Sequence, residues 1–113
     1  VAIFVHASEK EMGRAIHGLV YAQEIHDAGN KVKLIFDGEG TLWIGRFEDS
    51  SHPMNPLFKK VKELGLIEVC EFCAESFGAT DDVKKANISS LNGNEGHASI
   101  ANLIEEEYQI ITL

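Results

Sequence analysis

Three short apolar runs limit most what this chain can become. Val1-Ala2-Ile3-Phe4-Val5, Val32-Lys33-Leu34-Ile35-Phe36 and Leu66-Ile67-Glu68-Val69-Cys70 are each near-continuously apolar rather than alternating. Such runs suit strands buried on both faces, and strands covered on both faces are usually parallel. The segments between them have helical period. Met12, Ala15, Ile16, Leu19, Val20 and Ile25 fall near one stripe, and Gly29 stands where a helix would stop. Ser8 and Glu11 have capping-box spacing ahead of that stripe. Asn55-Pro56 opens a second helix with the stripe Leu57, Phe58, Val61 and Leu64, ended by Gly65.

Further along, a short helix is expected near Cys73, and Thr80-Asp81-Asp82 could cap another turn. Asn87 to Leu91 reads as a weak fourth strand, and Asn92 to Gly96 as a loop. A last helix carries Ala98, Ile100, Ala101, Leu103 and Ile104, and Tyr108 to Leu113 closes the chain as a strand. Strands alternating with helices predict an α/β fold: one three-layer α/β/α domain over residues 1–113, with a mostly parallel sheet of about five strands. In such sheets functional groups gather beyond the carboxyl ends of the strands. Those ends present His6, Asp37, Cys70 and the loop Ser89 to Gly96.

The only two cysteines, Cys70 and Cys73, are three positions apart at the third of those ends. Two thiols are too few to staple a secreted domain. In a reducing cytosol a lone Cys-x-x-Cys suggests redox, metal or sulfur chemistry. Free N–H groups at a helix start favour a thiolate, so Cys70 is expected to be the more reactive thiol and Cys73 an auxiliary or resolving one. Glu68, Glu71 and Glu75 lie close in sequence and oppose that charge. The plain alternative is that both cysteines only pack as small hydrophobes.

Other chemistries find less support. Gly38-Glu39-Gly40-Thr41-Leu42-Trp43 starts like a dinucleotide fingerprint, but Trp43 stands where the last glycine belongs, and the motif follows the second strand. Cys-x-x-Cys is half a structural zinc site, which His6 or His97 would complete only if folding brought them together. No cofactor and no metal are therefore expected. His17 and His26 read as surface residues, His52 as a loop residue, and His97 as the start of the last helix. The net charge of −8 argues against direct nucleic-acid binding. No apolar run approaches a membrane span, and no signal segment opens the chain, although the numbering leaves room for residues upstream of Val1. Leu42, Trp43, Ile44 and Phe47 either cover the sheet edge as a satellite core or form a subunit interface.

The chain resembles the DsrE/DsrF-like family of small sulfur-relay proteins, which includes the TusD and YchN types. The likeness rests on VAIFVHAS, LIFDGEGT, VCEFCAESFG and SIANLIEEEYQIITL, and runs essentially end to end. Its most specific part is a cysteine closing the third strand with a glycine eight residues later, here Cys70 and Gly78. The resemblance implies a cytoplasmic homotrimer or homohexamer that works with sulfur-donor and sulfur-acceptor proteins. It implies that Cys70 accepts sulfur as a persulfide and hands it on. Cys73 departs from the relay pattern. Its thiol could attack a persulfide on Cys70, expel hydrosulfide and leave a disulfide. Thiol-disulfide redox chemistry and a non-catalytic assembly role are the alternatives.

Overall fold

In the computed structural model, which describes residues 1–113, five strands form one fully parallel sheet in the order β4-β3-β2-β1-β5. The strands are β1 (Ala2–Val5), β2 (Lys33–Phe36), β3 (Ile67–Cys70), β4 (Ser89–Leu91) and β5 (Ile110–Thr112). The helices are α1 (Met12–Asp27), α2 (Trp43–Glu48), α3 (Asn55–Glu63), α4 (Glu71–Ser76), α5 (Thr80–Lys85) and α6 (Ile100–Glu105). A 3₁₀ turn, Gly38–Leu42, leads into α2. The central strands β1 to β3 are those with near-continuous apolar runs. The edge strands β4 and β5 are shorter and largely exposed, which is why the fourth reads weakly.

The topology explains an uneven burial. From β1 to β4 the chain steps across the sheet in one direction, and right-handed crossovers then put α1 to α5 on one face. Only the return from β4 to β5 carries a helix, α6, to the other face. The main core accordingly holds 20 buried residues, including Ile3, Val5, Leu34, Phe36 and Val69, while the α6 face holds seven, including Phe4, Ile35, Cys70 and Leu103. No helix is long and apolar enough to cross a membrane.

Two local expectations change. Ser8 does not cap α1. Its carbonyl accepts the Glu11 N–H at 2.9 Å in a turn, and the helix opens only at Met12. Glu11 does not reach back, because its carboxylate pairs with Arg14 at 3.0 Å. Trp43, Ile44 and Phe47 are not available to an interface. They are buried in the main core, with Trp43 Nε1 donating to the Ala7 carbonyl at 2.9 Å and the Trp43 and Phe47 rings stacked. Buried Asn55 then ties α2 to α3 by donating to the Phe47 carbonyl at 2.8 Å. The 3₁₀ turn packs under β1 so closely that a methyl group on Gly40 would collide with the Val5 carbonyl.

Candidate functional site

Strand pairing builds the site. Val5 pairs with Phe36, and Phe36 with Val69. The next residue of each strand is therefore His6, Asp37 and Cys70, in one row at the carboxyl edge. Side chains alternate along strands. Since Val5, Phe36 and Val69 face the main core, this row faces the α6 side. The row lies over β1, β2 and β3, not in the crevice between β1 and β5 where the sheet order reverses.

No linker separates β3 from α4. Cys70 ends the strand and immediately precedes the helix, and it is 0% exposed. The first turn of α4 brings partly buried Cys73 back over the same small core. Cys70 Sγ lies 3.8 Å from His97 Nδ1. Cys73 Sγ donates a hydrogen bond to Asp37 Oδ1 at 3.2 Å, and His6 Nδ1 lies 3.9 Å from the same oxygen. One ligand atom each from Cys70, Cys73 and His97 lie within 4.8 Å of one another. The polar groups thus run His6, Asp37, Cys73, Cys70, His97.

Burial pushes the Cys73 thiol up to about 12. The hydrogen bonds to Cys70 and Asp37 and the Asp37 charge act the same way, against the Gly38 N–H, which favours the thiolate. The negative charge that acts on Cys73 is that of Asp37. Of the neighbouring glutamates, Glu68 pairs with Lys33 at 3.2 Å, and Glu71 accepts from Asn92 at 3.1 Å. Access does not favour Cys70 either, since Cys73 is the more open of the two.

The segment after β4 covers the pair. The Phe72 N–H donates to the Gly96 carbonyl at 2.9 Å, and the Phe72 ring meets the His97 ring at 4.2 Å between centroids. Asn94 and His97 exchange backbone hydrogen bonds of 2.9 and 2.8 Å. His97 thus ends a closed loop directly over Cys70 instead of merely opening α6, which begins at Ile100 behind a Ser99 cap. The sequence offered His97 as a possible partner of the cysteines but ended the loop at Gly96 and gave His97 to the last helix. A histidine beside a loop at a strand's carboxyl end was the available signal. His17 is exposed and stacks on Tyr21, and His52 accepts the Met54 N–H, so neither joins the site. Gly78, eight residues after Cys70, has φ of +72° just beyond the end of α4, a conformation glycine adopts freely.

Comparison with known proteins places the chain in a family. Residues 1–113 match the DsrE/DsrF-like family. The chain belongs to that family. It is similar to the Uncharacterized protein MJ0733 of Methanocaldococcus jannaschii, with 32% identity over 110 residues, covering 97% of this chain and 88% of that protein. Its fold is similar to that of a conserved protein of unknown function, BT1422, from Bacteroides thetaiotaomicron. That match has a TM-score of 0.71 and 13% identity, over 99% of this chain and 94% of the other.

Proposed function

We propose that this family member handles sulfane sulfur, with Cys70 accepting it as a persulfide and Cys73 resolving it. The convergence of both sulfurs on His97 supports this reading most directly. The Cys70 thiolate attacks the outer sulfur of a donor persulfide, R–S–SH. The Cys70–S–SH bond forms, the donor S–S bond breaks, and the donor leaves as a thiolate. His97, at 3.8 Å, is placed to take the Cys70 proton.

Two fates then compete. An acceptor thiolate can remove the outer sulfur and regenerate the Cys70 thiolate. Alternatively, Cys73 attacks the Cys70 sulfur, forms the Cys70–Cys73 disulfide and expels hydrosulfide. An external dithiol would reduce that disulfide. The nearness of the two sulfurs favours the second fate and equally favours a plain dithiol–disulfide cycle. Intact mass after exposure of the reduced chain to a persulfide donor separates these readings. Gain of one sulfur marks the carrier, and loss of two hydrogens marks resolution or redox. No change leaves a packing role for the cysteines.

The homotrimer or homohexamer, the donor and acceptor partners and the cytoplasmic setting are proposed from the family alone. Trp43, Ile44 and Phe47 no longer argue for the assembly. Ile100 and Ile104, one turn apart on α6 and 46% and 57% exposed, are apolar groups that a neighbouring subunit could cover.

A further inference from the structure

We propose that Cys70, Cys73 and His97 form a three-ligand binding site for a thiophilic cation of the zinc class. A Cys-x-x-Cys alone is half a site, and the third ligand comes from the loop after the neighbouring strand β4. A tetrahedral Zn²⁺ has Zn–S bonds of about 2.3 Å and Zn–N bonds of about 2.0–2.1 Å, so its ligand atoms stand roughly 3.5–3.8 Å apart. Cys70 Sγ and His97 Nδ1 are already 3.8 Å apart, and all three ligand atoms lie within 4.8 Å of one another. Closing the set takes side-chain shifts of no more than about 1 Å from that limit.

Asp37 Oδ1, 3.2 Å from Cys73 Sγ, lies beside the set as a neighbour of Cys73 alone. Two sulfurs and an imidazole select soft or borderline cations over Mg²⁺ and Ca²⁺, which prefer all-oxygen sets. Binding replaces the two thiol protons by one Zn²⁺, with two protons released. The positions are firmly held. Cys70 is fixed by strand pairing with Leu91, and His97 by its hydrogen bonds to Asn94 and its contact with the Phe72 ring. The site uses the same sulfurs as the persulfide reading but does not depend on it. A bound cation would occupy both thiols, so the two states exclude each other.

The test uses the full chain, reduced and metal-free. Co²⁺ is titrated under anaerobic conditions as a spectroscopic probe, and Zn²⁺ affinity is then measured by competition with a chromophoric chelator. The expected result is one ion per chain, with thiolate-to-cobalt charge transfer and tetrahedral d–d bands. His97→Ala keeps both thiols and should weaken Zn²⁺ binding by more than the roughly 10–100-fold typical of losing an outer-shell partner. Cys73→Ser, which removes one of the three ligands, should weaken it at least as much. Retained circular dichroism shows that each variant is folded. Absence of charge transfer, or parental Zn²⁺ affinity in His97→Ala, overturns the proposal. Persulfide uptake is measured separately on the metal-free chain. Failure there would strike the sulfur-handling reading and leave the cation site standing, and the reverse holds as well.

Discussion

Cys73 donates its thiol hydrogen to Asp37, a residue 36 positions earlier, across 3.2 Å. Together with burial, the larger cause, that hydrogen bond keeps a proton on the sulfur that would resolve a persulfide. It also joins the end of β2 to the first turn of α4.

Removing the Asp37 charge should free the Cys73 thiolate. Both the carboxylate charge and its hydrogen bond raise the thiol's proton affinity, so Asp37→Asn lowers it. Below the titration point, each unit of lowering multiplies the thiolate fraction by about ten. Alkylation of Cys73 at pH 8, followed by peptide mass, should accelerate, while burial, the larger cause, still holds the thiol up. In the parent chain the rate should keep rising with pH toward about 12. A rate that levels off near pH 9 would contradict the assignment.

The loop over Cys70 should govern access to it. Phe72→Ala removes the ring that packs on His97, while the backbone bond to Gly96 remains. Cys70 should then be alkylated several-fold faster than in the parent chain. An unchanged rate would mean that another element provides the cover.

Cys73→Ser should lengthen the life of a persulfide on Cys70, because the nearest attacking sulfur is gone. Decay is followed by intact mass after the donor is removed. Equal lifetimes would show that Cys73 does not resolve. Sulfur uptake by Cys70→Ser equal to that of the parent would defeat the whole thiol-centred account.

Gly40→Ala should destabilise the fold by roughly 1–3 kcal/mol, since its methyl group meets main chain that cannot turn aside. Denaturant unfolding measures this directly. A neutral result would mean that the 3₁₀ turn can move off β1.

Light scattering at micromolar concentration should show a trimer or hexamer, and Ile104→Glu should shift it toward smaller species. A parent chain that is monomeric would refute the assembly.

The central strands were legible because burial on both faces removes every alternating polar residue from β1 and most of them from β2 and β3. The helix around Trp43 was not. It spans six residues and follows a turn containing two glycines, so it shows too little periodicity to separate from a loop. For the site, the cysteines and the strand-end positions of His6 and Asp37 could be read. The contact of Asp37 with Cys73 and of His97 with Cys70 could not. Both arise from strand register and from the path of the β4–α6 loop, and neither leaves a local spacing in the sequence.

The row His6, Asp37, Cys70 has a consequence for folding fidelity. Each of these residues follows an apolar one that faces the helix-covered side, so a one-residue slip of any strand exchanges the two. A slip in β2 would drive the Asp37 carboxylate into the main core and turn Phe36 out, at the heavy cost of burying an unpaired charge. The groups that assemble the thiol site thus also penalise mispaired sheets. A chain that holds its cysteines beside Asp37 and His97 has, by that fact, aligned its central strands correctly.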